Sequence, residues 1–330
     1  MSVEQSVLDD RLDRLINIDV GGRGVEHLCE AARALQKTSL VGAAADALLA
    51  IPEKATVLVT TGSVSRAWIS TAVGENDGPA GAAVIIRALV LARRANCVVV
   101  IEDTLAEAMA AVLTSAGLCV LPADEARAAC EDGSLAAVSL ASYPTEDEAG
   151  HKAAPGMLDD LDPALLFSTE RVGRNAQGIY CSMRGIDYGQ GRARIDFVFD
   201  EALKRAIPTV AVGDGGNEIG MGNIPEAVRD HVRFGEKICA VTKCDHLVTA
   251  AVSNWGCSAI VAAMAARTGD RRLLHTPERE KTLLRRSVDM GLINSPHGIV
   301  DGNVDGIPLS THLSVVDMLT TIVRPALGGA

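Results

Sequence analysis

Apolar and polar positions follow two rhythms along this chain. Short continuous apolar runs at 56–60, 97–101, 118–121, 136–140, 165–168, 208–212, 238–241 and 247–250 predict buried strands. Between them, apolar residues recur three and four apart. That spacing predicts helices over 79–94, 105–116, 124–130, 195–205, 226–235, 255–267, 277–290 and 313–323. Ahead of the first strand, residues 3–50 read as helices. Val7, Leu8, Leu12, Leu15 and Ile16 share one face, Val25, Leu28, Ala32 and Leu35 a second. Residues 40–51 form a third helix, ended by Pro52. The polar stretch 143–155, the glycine-rich stretch 172–192 and residues 291–311 read as loops. Alternating strands and helices predict an α/β fold of three α/β/α layers, with a mostly parallel, doubly wound sheet. An N-terminal helical arm, residues 1–52, would sit on a main unit, 53–330.

Polar residues fall where the strands end: Thr60/Thr61, Glu102/Asp103, Glu170/Arg171 and Asp214. In a parallel sheet these ends share one edge, so they converge on one crevice. The densest stretch is 213–222, five glycines in ten residues around Asp214, Asn217 and Glu218. Glycine there lets the backbone approach a ligand. The bland alternative is a tight turn with solvated acids. Two carboxylates suit a phosphate poorly, and the spacing is not the dinucleotide fingerprint, so no nucleotide or flavin is expected. A divalent metal (Mg or Mn) or an ammonium group suits the loop better, with Asp77, Asp214, Asn217 and Glu218 as candidate ligands.

Other stretches supply candidate partners. Asp77-Gly78-Pro79 opens a helix. Either Asp77 caps it, or its N-terminus at Gly78 holds a substrate carboxylate. Arg171, Arg174 and Arg184 crowd the loop after residue 170, where guanidinium forks could clamp an anion or merely form internal salt bridges. Ser253-Asn254 starts another helix, as a cap or as a substrate contact. Thr311-His312 offers a general base, although a lone histidine is more often structural.

Composition narrows the picture. The net charge of −11 with no basic block argues against nucleic acid and an anionic membrane surface as partners. Eight cysteines are scattered with no C-x-x-C pair, which suits reduced thiols in the cytoplasm rather than a zinc or disulfide framework. No apolar run is of spanning length, and residues 1–13 are polar and acidic, unlike a signal peptide. A homodimer is the default expectation for assembly.

Several stretches in this order resemble the D-glutamate cyclase family, in its C-terminal domain: Asp77-Gly78-Pro79-Ala80-Gly81, Glu170-Arg171-x-Gly173-Arg174, Met183-Arg184-Gly185, the run 213–222, and Val252-Ser253-Asn254-Trp255-Gly256. Asp305-Gly306-x-Pro308 and Thr311-His312 are similar to its C-terminal pattern. The likeness runs from about residue 56 to the end. It implies a stand-alone, bacterial-type member without the animal protein's additional N-terminal domain. It also implies a hydro-lyase that interconverts D-glutamate, or a similar small amino dicarboxylate, and its lactam, 5-oxo-D-proline. On that reading Glu170, Asp214, Glu218 and His312 do the chemistry. Gly78, Arg171, Arg174, Arg184, Ser253 and Asn254 hold the substrate. A non-catalytic amino-acid-binding protein and a lactam or amide hydrolase stand as alternatives, and Val172, Cys181 and Cys257 are this chain's own departures beside the pocket.

Overall fold

The computed structural model describes residues 4–62 and 64–328. In chain order the elements are α1 (Gln5–Ile16), α2 (Val25–Gln36), α3 (Leu40–Ala50), β1 (Thr56–Thr60), α4 (Pro79–Arg93), β2 (Asn96–Val100), α5 (Ala106–Ser115), β3 (Cys119–Val120), α6 (Ala123–Asp132), β4 (Ala137–Ala141) and α7 (Asp147–Leu161). They continue as β5 (Leu165–Thr169), α8 (Asp196–Lys204), β6 (Thr209–Gly213), α9 (Pro225–His231), α10 (Gly235–Ile238), β7 (His246–Thr249), α11 (Ser253–Thr268), α12 (Pro277–Asp289) and α13 (Leu309–Val323).

The strands form one sheet in the order β3-β4-β2-β1-β5-β6-β7, every neighbour parallel. Parallel strands are covered on both faces, which is why their sequences are continuous apolar runs. Every residue of β2, β5 and β6 is buried. From β1 the chain winds outward to β2 in one direction, and from β5 to β6 and β7 in the other. Right-handed crossovers therefore put α4 and α8 on opposite faces, and the order reverses between β1 and β5. Such a switch point opens a crevice at the carboxyl ends of the strands.

The N-terminal helices are built into this body. Leu8, Leu12, Ile16, Val25, Leu28 and Leu40 belong to the same apolar cluster as the sheet. Ala251 donates its N–H to the Ile16 carbonyl at 2.7 Å, and the Thr249 hydroxyl donates to Asn17 Oδ1 at 2.9 Å. Buried Asp13 organises the arm: its carboxylate accepts from Leu40 N and Val41 N, each at 2.9 Å, and pairs with Arg33 at 2.6 Å. It thereby satisfies the first amides of α3.

Two expectations are corrected. Residues 143–155 are not all loop: α7 covers 147–161. Its buried stripe is Gly150, Ala154 and Leu158, so small and sparse that the polar composition hid the helical period. Residues 238–241 are not a strand. They end α10 and then cross the loops, with Ala240 N donating to Gly216 O and Val241 N to Arg174 O. A short apolar run cannot tell these outcomes apart. Among the described residues, no helix is long and apolar enough to cross a membrane.

Asp13→Ala leaves two buried amides unpaired and removes the Arg33 partner. The expected loss is about 2 kcal/mol of unfolding free energy, read from urea denaturation. An unchanged midpoint would show that Asp13 does not organise the arm.

Candidate active site

Two helices aim their N-termini at the crevice, and each is capped by a residue of the other. Asp77, just ahead of α4, accepts from Asn254 N at 3.0 Å and Ser253 N at 3.2 Å, the first amides of α11, and from Gly78 N at 2.9 Å. Asn254 Oδ1 returns the favour, accepting from Gly78 N at 3.1 Å and Gly81 N at 2.7 Å. The backbone there is glycine for steric reasons. Gly78 has φ +90°, and a Cβ on it would lie 2.7 Å from Thr61 Oγ1 and 2.8 Å from Glu170 Cβ. A Cβ on Gly81 would lie 2.8 Å from Asn254 Oδ1. The amides of Gly78, Ser253 and Asn254, expected as substrate contacts, are thus taken by caps. The Ser253 hydroxyl is spent on Glu170, donating to Oε2 at 2.5 Å.

Beyond the caps lies a floor of carboxylates. Glu170 follows β5 with φ 55°, Asp214 follows β6, and Asp305 comes from the loop after α12 with φ 54°. Oxygens of Asp77, Asp214 and Asp305 lie within 4.8 Å of one another, as do those of Glu170, Asp214 and Glu218. Burial, reinforced by Asp77 and Glu218, pushes the Glu170 carboxyl well above the usual range. Burial and Glu170 do the same to Asp214, against the pull of Arg23. Burial also opposes ionisation of Asp305, but the Arg23 charge and a hydrogen bond to Asp214 bring it below the ordinary value. The floor thus holds Glu170 and Asp214, biased toward the neutral form, beside Asp305, biased toward the ionised one, the separation from which acid and base roles arise.

Arg23 makes that separation. Its Nη1 lies 3.0 Å from Asp214 Oδ2 and 2.9 Å from Asp305 Oδ2. It sits between α1 and α2, where Asp19 accepts from Arg23 N at 2.9 Å and Gly24 N at 2.7 Å and fixes the turn. Neither Arg23 nor Asp305 was assigned to the site from sequence. The signals were present: a cation among glycines in Gly21-Gly22-Arg23-Gly24, and an Asp-Gly in a long loop.

The other expected residues divide sharply. Glu218 reaches the floor, but both its oxygens hold the loop, accepting from Asp214 N, Gly215 N and Gly216 N at 3.1, 2.7 and 2.7 Å. Asn217 donates to the Cys181 carbonyl at 2.7 Å. Arg171 is fully buried and grips Glu102 through both ends of its fork, at 2.9 and 2.6 Å. Arg174 turns away to Asp196 at 2.7 Å and to Asp200. His312 is not brought to the floor. Its Nδ1 accepts from Trp255 Nε1 at 2.8 Å, so its proton is on Nε2, facing the Val304 and Ile307 carbonyls. Burial lowers its basicity, and with both nitrogens engaged it anchors the turn that carries Asp305. Arg184 alone of the three loop arginines lines the cavity above the floor, a space of about 430 Å³ also walled by Arg66, Trp68, Glu75 and Tyr188. That size suits a small molecule.

The buried acidic groups could hold a metal ion, since all-oxygen donors suit Mg or Mn. In the Asp77 group the Arg23 guanidinium already occupies the Asp214 and Asp305 oxygens. The Glu170, Asp214 and Glu218 group shares Asp214 with that guanidinium, and both Glu218 oxygens already accept loop amides, so an ion there would compete with Arg23 and with the loop.

The family model described as "D-glutamate cyclase-like, C-terminal" matches residues 12–320. The chain belongs to that family. The D-glutamate cyclase-like match begins within α1, so it takes in the helices that deliver Arg23. Human (Homo sapiens) "D-glutamate cyclase, mitochondrial" is 28% identical over 351 residues, covering 97% of this chain and 53% of the human protein. The chain thus spans about half the length of that relative.

Two outcomes follow from the site's electrostatics. Arg171→Met strands the buried Glu102 charge and is expected to cost about 3–5 kcal/mol in denaturant unfolding, far more than an exposed ion pair. For Glu170, the folded pKa is raised above an unfolded value of about 4.3. The native state then holds the extra proton, so its stabilising contribution is complete below that unfolded value and fades as pH rises through the folded one. Glu170→Gln is expected to flatten this decline, gaining stability over wild type at pH 8 more than at pH 5. Equal shifts at both pH values would contradict the assignment.

Proposed function

We propose that this chain interconverts a small amino dicarboxylate, D-glutamate or a close relative, and its lactam, 5-oxo-D-proline, with loss of water. The observation that carries this reading is the acidic floor, where Glu170, Asp214 and Asp305 line one cavity of about 430 Å³ with their carboxyls pushed in opposite directions. Family membership and the name of the human relative support it.

Lactam closure forms a C–N bond and breaks a C–O bond. Two protons leave the ammonium nitrogen, and two arrive on the departing oxygen as water. Asp214 shares a hydrogen bond with Asp305, whose carboxylate is the one biased toward ionisation, and an ammonium bound at this pair would give up its proton there. Glu170, kept neutral by burial and oriented by the Ser253 hydroxyl, donates to the leaving oxygen. Arg23 and Asp305 hold the local charge balance while protons move. Holding amine and carboxyl together in the cavity supplies part of the rate, since effective molarity is worth up to ~7–11 kcal/mol. A divalent ion, if bound by Glu170, Asp214 and Glu218, would polarise the reacting carboxyl as a Lewis acid. We place the reaction in a reducing compartment such as the cytoplasm, which suits eight cysteines that are all free.

The deciding measurement is a turnover screen of D- and L-glutamate, other amino dicarboxylates and their lactams, with and without Mg²⁺ or Mn²⁺. Asp214→Asn is expected to lower kcat about 10²–10⁴-fold with an unchanged circular dichroism spectrum. Full activity in that variant would remove Asp214 from the chemistry. Saturable binding without turnover would make the chain a binding protein.

A further inference from the structure

We infer that Arg66 and Arg184 together seat the carboxylate of the substrate that does not react. This rests on the cavity being the substrate site proposed above.

The two arginines come from different loops, Arg66 after β1 and Arg184 after β5, and are tied to consecutive carbonyls of one turn. Arg66 Nη2 donates to Ser295 O at 2.5 Å, and Arg184 Nη2 to Pro296 O at 3.1 Å. Arg66 Nη1 also donates to Ser65 Oγ at 3.1 Å, and that hydroxyl meets Ser295 Oγ at 3.0 Å. Arg66 is thereby held before any ligand arrives, and the exposed Arg184 is brought to the same turn by its one bond to Pro296 O. Arg23, Arg171 and Arg174 each face a carboxylate. The hydrogen bonds of Arg66 and Arg184 go instead to carbonyl and hydroxyl oxygens, and among the described residues neither forms an ion pair. Two guanidiniums that form no ion pair among the described residues, walling a cavity with an acidic floor, match a zwitterion end to end.

Chemistry decides which carboxylate they take. The reacting carboxyl has to lose an oxygen as water, so it belongs beside the neutral acids that can protonate it. The other carboxylate is unchanged by the reaction and keeps its full charge in substrate and lactam alike. Arginines that hold it bind both equally, so they act on KM and leave kcat nearly untouched.

Proline tests the seat without needing lactam chemistry, because it carries an ammonium and a carboxylate but cannot close a ring. Trp68, half exposed on the cavity wall with Arg66 Cζ 5.6 Å from its ring centre, reports binding by fluorescence, whereas Trp255 is buried. Both enantiomers of proline, and pyrrolidine as the amine without a carboxylate, would be titrated into the full chain. Arg66→Gln and Arg184→Gln are expected to weaken one proline enantiomer at least tenfold and leave pyrrolidine unchanged. Arg66→Lys should recover part of the loss, and the surface variant Arg285→Gln should show none. Thermal melting of each variant separates a lost seat from a lost fold. Equal proline affinity in wild type and the glutamine variants, or no proline binding by wild type, overturns the proposal. Arginine-dependent proline binding without turnover of any glutamate or lactam would keep the seat and sink only the lactam reaction.

Discussion

The site depends on the reciprocal capping of α4 and α11 by Asp77 and Asn254. Two helix N-termini pointing at one crevice bring several unsatisfied amides and two positive dipole ends with them. Each side chain closes the other helix, so neither can shift without uncapping its partner. Gly78 and Gly81 permit the approach, and Glu170 and Cys257 pack directly over them. The amides are consumed, but the field of the two helices remains, directed at the crevice where the carboxylates gather. That field helps so many acids share a buried space.

A second layer of contacts distributes charge around this centre. Glu218 spends its carboxylate on three amides of its own loop and so fixes where Asp214 points. The Glu102–Arg171 pair joins the ends of β2 and β5 beneath the crevice, and Glu102 also accepts from Ala193 N at 2.9 Å. Trp255, one residue beyond the Asn254 cap, reaches His312 and through it the turn that presents Asp305. Caps, floor and the loop after α12 are thus mechanically one unit. The acids of the floor differ because Arg23 and a hydrogen bond to Asp214 together favour the charge on Asp305, whereas at Asp214 burial and Glu170 outweigh the same guanidinium.

Much of the fold was legible because parallel strands buried on both faces leave an unambiguous apolar run. The runs at 56–60, 97–101, 165–168 and 208–212 all became sheet strands, and their polar ends marked the crevice. Where apolar content was thin, as in α7, or short and unpartnered, as at 238–241, the same pattern gave the wrong element. Within the site, Glu170, Asp214 and Arg184 were placed at the cavity wall. Arg171, Arg174 and His312 have the right chemistry for a site but found other partners.

The chain's own residues determine the alternation of strand and helix, the glycine-rich acidic turn at 213–222 and the family motifs, because these are local and need only neighbours in sequence. The tertiary structure alone decides which charges meet. Arg23 lies 191 residues from Asp214 and 282 from Asp305, yet one guanidinium nitrogen touches both carboxylates. Whether a buried arginine clamps a ligand or neutralises a neighbour is a matter of a few ångströms. Those distances are set by how helices pack around the sheet, which no short stretch of sequence encodes.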